Sequence, residues 1–98
     1  MDKEQAVELV RKYKNAISKD FKDAKVYLFG SYSKGVARPE SDIDVAVVVS
    51  RLDGDWLEKT SLLWQYTLGV TTLIEPVLIA ESTPSPLYED ILRTGIAI

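Results

Sequence analysis

Leu28-Phe29-Gly30-Ser31-Tyr32-Ser33-Lys34-Gly35-Val36-Ala37-Arg38-Pro39-Glu40-Ser41-Asp42-Ile43-Asp44-Val45-Ala46-Val47-Val48-Val49 is the stretch on which the reading of this chain turns. It opens with an apolar run that ends at Gly30-Ser31. It closes on Asp42-Ile43-Asp44, which leads straight into five apolar residues. On a strand, residues i and i+2 face the same side, about 7 Å apart along the chain. Two carboxylates converging in that way repel each other unless a cation lies between them. A hard divalent cation, shared with a phosphate-bearing substrate, suits such a pair. The Gly30-Ser31 step supplies the other half: backbone N–H groups, and a hydroxyl, that can hold phosphate oxygens at a helix start.

Working outward, Asp42 to Val49 reads as a strand, and Val45 to Val49 is apolar on both alternating faces. That pattern marks a central strand covered on both sides. Lys25 to Phe29 reads as a shorter strand before it. From Ser31 to about Val36 the sequence predicts a short helix pointing at the acids, ended by Gly35 and Pro39. Ser31 caps that helix, and it can touch phosphate as well. Lys34 and Arg38 reach phosphates or stay as solvated loop charges. Ser41 orients a carboxylate or closes the loop. Tyr32 and Ser33 carry no clear signal.

The flanks complete an α/β pattern. Residues 3 to about 20 form an amphipathic helix with Asp2 at its cap, burying Ala6, Val7, Leu9, Val10, Tyr13, Ala16, Ile17 and Phe21. Asp55 and Glu58 resemble a capping box for a helix from Trp56 to about Tyr66, with Leu57, Thr60, Leu63, Trp64 and Leu68 as its buried stripe and Gly69 as its stop. Val70 to Ala80 is the third strand, placed at an edge by Pro76. Ser85 and Pro86 start a last helix that buries Leu87, Tyr88, Ile91 and Leu92 and stops at Gly95. Ile96 to Ile98 adds a short strand or docks on a partner. Glu75 shares a strand face with Leu73, Val77 and Ile79. An acid there needs solvent at a sheet edge or a metal ion.

Composition narrows the chemistry. The 98 residues suit one small domain with one core. A net charge of −3 argues against a nucleic-acid-binding surface. With no cysteine and no histidine, thiolate sites, the usual zinc ligands and the commonest general base are all excluded. Any acid–base or metal work falls to Asp, Glu, Lys or Tyr. No apolar run approaches a membrane span and the N-terminus is polar, so no membrane partner is expected and the chain reads as cytoplasmic.

Gly30-Ser31, ten residues, and then Asp42-Ile43-Asp44 resembles the signature of the nucleotidyltransferases related to DNA polymerase beta. The whole Gly30 to Val45 stretch resembles their minimal, stand-alone branch, the MNT domains paired with HEPN-type partners in toxin–antitoxin modules. The resemblance is strong over that stretch and rests on element order elsewhere. It implies a single minimal nucleotidyltransferase domain over 1–98, with a small mixed sheet and flanking helices. It implies ATP as the nucleoside triphosphate substrate and two Mg²⁺ ions held by Asp42 and Asp44, with Gly30, Ser31, Lys34 and Ser41 around the nucleotide. Members carry a third carboxylate on the neighbouring strand. Many use Asp there, so Glu75 is a departure, with Glu81, then Asp53 or Asp55, as substitutes. The implied acceptor is a tyrosine of a helical HEPN-type partner, which makes the chain an antitoxin. Two other readings stand beside it. One is a binding module that neutralises its partner by occupying it. The other is a small-molecule adenylyltransferase of the aminoglycoside type, for whose second domain 98 residues leave little room; a third and plainer reading is a small α/β domain whose acids merely hold a structural ion.

Overall fold

The computed structural model describes residues 1–38, 41–83 and 85–98. Its elements run α1 (Lys3–Ile17), β1 (Lys25–Phe29), β2 (Ile43–Val49), α2 (Trp56–Thr67), β3 (Ile74–Ala80), α3 (Pro86–Thr94) and β4 (Ile96–Ala97). The strands form one mixed sheet in the order β3-β2-β1-β4. β1 is antiparallel to both β2 and β4, while β2 and β3 are parallel and joined through α2. The apolar run thus becomes an interior strand, with Val45 to Val48 all buried. β3 is an edge, where Pro76 can withhold an N–H from the ladder without loss.

The pleat of β2 divides its residues between two layers. Val45 and Val47 join Val26, Leu28, Ile74 and Leu78 beneath α1 and α2, which contribute Ala6, Val10, Tyr13, Ile17 and Leu63. The Tyr13 hydroxyl donates to the Leu63 carbonyl at 2.7 Å and ties the two helices together. Ala46 and Val48 join Ile79 beneath α3, through Ile91 and the half-buried Tyr88. Asp44 has the parity of Ala46, so it belongs to the α3 layer. Each helix start is capped: Asp2 in a capping box with Gln5, Asp55 to the Leu57 amide, and Ser85 to the Tyr88 amide. Such caps contribute about 1 kcal/mol each. Among the described residues no helix is long and apolar enough to cross a membrane.

Several boundaries differ from the sequence reading. α1 stops at Ile17, although Phe21 beyond it is still buried. Ser31 to Gly35 is a run of turns rather than a helix, because Gly30 and Gly35 both take positive φ and confine any helical run to the four residues between them, too few to propagate a helical ladder. Pro39, expected to help end that helix, lies outside the described residues. β3 starts at Ile74 rather than Val70, since Leu68, Gly69 and Val70 donate back to Gln65, Tyr66 and Thr67 and wind down α2. α2 buries Leu63 and Thr67, not Leu57, Trp64 or Leu68, because it meets the sheet through the side that carries Leu63. On α3, Leu87 and Leu92 face outward. The chain's end is a strand: Ile96 and Ala97 pair with Leu28 and Tyr27, and the Ile98 amide donates to the Val26 carbonyl at 2.9 Å.

Candidate active site

The sheet register assembles the site. Asp44 lies opposite Glu75 on β3 and opposite Phe29 on β1. Gly30, the residue after Phe29, is thereby brought alongside the Asp44 carboxylate. The approach is close: a Cβ built on Gly30 would lie 2.2 Å from Asp44 Oδ2 and 3.1 Å from its Cγ. Gly30 also has φ of +75°, a conformation natural to glycine. The carboxylate therefore rests against bare backbone where the chain turns into the loop.

That loop folds on itself. The Gly30 carbonyl accepts from the Lys34 amide at 3.1 Å and from Ser33 Oγ at 3.0 Å, and the Ser31 carbonyl accepts from the Val36 amide at 3.0 Å. Among the described residues the amides of Ser31, Tyr32 and Ser33 have no backbone acceptor, which leaves them for an anion. Tyr32, 2% exposed, roots the loop in the core. It is the residue that sequence reasoning missed. Its signal was an aromatic ring in an otherwise small and polar loop. Ser41 Oγ accepts from the Arg38 amide at 2.8 Å, and the Ser41 amide donates to the Arg38 carbonyl at 2.9 Å, so Ser41 closes the loop just before Asp42. Lys34 and Arg38 are exposed.

Three acids converge here. Burial, then the charge of Asp42, holds the Asp44 carboxyl above its ordinary range. Partial desolvation at the sheet edge, then the charges of Asp42 and Asp44 and the nearness of the Asp42 carboxyl, does the same for Glu75, although its side chain is exposed. None of the ion pairs among the described residues, Arg11–Glu8, Lys25–Glu81 and Arg93–Asp90, relieves them. The substitutes for Glu75 lie elsewhere. Glu81 follows the far end of β3, where it accepts from the Tyr88 hydroxyl at 3.1 Å and faces Lys25. Asp53 and Asp55 lie beyond the far end of β2, and Asp55 is spent on the α2 cap. Asp42, Asp44 and Glu75 are all-oxygen, mutually repelling donors, which fits a hard divalent cation. Among the described residues no three acids enclose an ion by themselves, so substrate and water oxygens would complete its shell.

Residues 10–88 match the nucleotidyltransferase domain family. The chain belongs to that family. This nucleotidyltransferase is 28% identical over 97 residues to a candidate protein adenylyltransferase of Methanocaldococcus jannaschii, a match covering 94% of this chain and 97% of that one. A solved candidate minimal nucleotidyltransferase is 27% identical, with a TM-score of 0.63 over 100% of this chain and 97% of the other. The fold is shared with a candidate nucleotidyltransferase of Sulfolobus solfataricus, at 15% identity and a TM-score of 0.72 over 97% of this chain and 80% of that one. It is shared also with the toxin–antitoxin MntA-HpeT mutant, at 22% identity and a TM-score of 0.64 over 90% of this chain and 69% of that one.

Proposed function

We propose that this nucleotidyltransferase is a single minimal domain over 1–98 that transfers AMP from ATP to a tyrosine hydroxyl of a HEPN-type partner, and so acts as an antitoxin in the cytoplasm. The observation that carries the reading is the meeting of Asp42, Asp44 and Glu75 beside the free amides of the Gly30-Ser31 turn. The relative named for protein adenylylation and the fold shared with a toxin–antitoxin protein support the direction.

The residues divide the work. Ser31 and the amides after Gly30 receive triphosphate oxygens, and bare backbone at Gly30 lets them come close. Lys34 adds positive charge at the loop tip. Ser41 holds the loop closed so that Asp42 and Asp44 keep their aim. Asp42, Asp44 and Glu75 would hold two Mg²⁺ ions, which when bound neutralise the phosphates and polarise the acceptor oxygen. The acceptor oxygen bonds to the α-phosphorus, the bond to the β-phosphate breaks, and pyrophosphate leaves. Glu75 takes the acceptor's proton, a role open to a carboxylate at the exposed rim of the site. Positioning and charge neutralisation supply most of the rate. AMP on the partner adds charge and bulk where RNA phosphates must bind, which silences an RNase site.

The test is intact-mass spectrometry of the co-purified partner after incubation with ATP and Mg²⁺. The reading requires a nucleotide adduct on the partner that disappears with Asp44→Asn. A stable complex with a silenced but unmodified partner shows the binding-module reading instead.

A further inference from the structure

Four of the seven large apolar side chains exposed among the described residues belong to α2 and its C-cap. Three of them, Leu57 (70% exposed), Trp64 (44%) and Leu68 (77%), line up with Ser61 at positions i, i+4, i+7 and i+11. That spacing is one continuous stripe along a helix. The opposing side of α2, through Leu63 and Thr67, is already committed to the protein's own core. A helix that is apolar along a second stripe has a second surface to cover.

We infer that this stripe is the seam of a two-fold homodimer, in which α2 packs antiparallel on the α2 of a second copy. The spacing itself points to this occupant. With the axis between Leu62 and Leu63, Leu57 lies against Leu68 of the second copy and Trp64 lies against its Ser61. The largest side chain of the stripe meets the smallest, twice, which is the interlocking that close packing requires. The charges agree. Glu58, exposed beside the stripe, stands nine positions from its symmetry mate, about 13 Å at the helical rise and beyond the screening length of roughly 10 Å. A parallel pair would bring the two Glu58 carboxylates together and press Trp64 on Trp64. Antiparallel packing also opposes the two helix dipoles, which a parallel pair would align.

Three large apolar side chains per copy fall short of the roughly 1,200 Å² in total that a stable specific interface buries, so the dimer is weak and depends on concentration. α2 covers one layer of the sheet, and Asp44 and Glu75 belong to the other, so both sites stay open in the pair. The inference is independent of which acceptor the enzyme uses.

The chain contains no cysteine, so introduced ones report without background. Leu57→Cys mixed with Leu68→Cys should form a disulfide-linked heterodimer under mild oxidation. Either variant alone should form little. Position 57 lies eleven positions from its own symmetry mate, about 16 Å and far outside the roughly 7 Å a disulfide spans. In sedimentation equilibrium the wild type should shift from monomer to dimer as concentration rises. Trp64→Glu and Leu68→Lys should remain monomeric, with unchanged circular dichroism and unchanged Mg²⁺-dependent ATP binding. A wild type that is monomeric at every concentration overturns the inference, and so does a 57–57 cross-link as abundant as 57–68.

Discussion

Gly30 and Asp44 share one space: a Cβ on Gly30 would lie 2.2 Å from Asp44 Oδ2. The glycine is needed twice, for its φ of +75° and for the room it leaves the carboxylate. Gly30→Ala should therefore destabilise the fold by at least about 1–2 kcal/mol from the left-handed backbone alone. It should also push Asp44 off its aim, at a cost of about 100-fold in transfer rate. Thermal melts and initial rates check both effects. A variant with wild-type rate shows that Asp44 does not depend on this contact.

Asp44→Asn should melt higher than wild type in metal-free buffer at neutral pH. The Asp44 and Glu75 carboxyls are both held above their ordinary range, so the folded chain binds their protons more tightly than the unfolded chain does. The stability they contribute is present at the acid end and is lost as pH rises through their raised values. Removing one charge flattens that profile. Melting temperature against pH, with and without Mg²⁺, checks it. Mg²⁺ should raise the wild type and leave the variant almost unchanged.

Much of this site was legible in the chain because its information is local. Asp42, Asp44 and the valine run declare a buried strand ending in acids, and Gly30-Ser31 declares a turn. Pro76 marked an edge strand for a similar reason, since a missing N–H restricts its place in any sheet. The Ser31 to Val36 helix was misread because only the observed positive φ at Gly30 and Gly35 shows that the run between them is too short for a helix. α2 was misread because its sequence carries two apolar stripes. Which one meets the sheet depends on β3 and α1, which lie far away in sequence.

Glu75→Gln should keep most of the affinity for ATP with Mg²⁺ and lose transfer. Glu75 is exposed at the rim beside Asp44, where it can serve the acceptor more than the triphosphate. Calorimetry for binding and steady-state rates for transfer separate a transition-state role from uniform binding. An unchanged transfer rate moves the proton to water.

Tyr32 should matter as a ring and little as a hydroxyl. Its ring is buried, while its hydroxyl reaches the Arg38 carbonyl only at 3.4 Å. Tyr32→Phe should cost less than about 1 kcal/mol, and Tyr32→Ala about 3–5 kcal/mol, judged from core truncations of aromatic residues. Denaturant unfolding measures both. Tyr32→Ala should also weaken ATP binding, because the loop loses its anchor.

We propose that Asp42 and Asp44, with the Gly30-Ser31 turn, form one site for a divalent cation and a triphosphate. Calorimetric titration of ATP, with Mg²⁺ and with chelator, into wild type, Asp42→Asn and Asp44→Asn tests it most directly. Binding should require Mg²⁺ in the wild type and be lost in both folded variants. Equal affinity for ATP in all three proteins would contradict it.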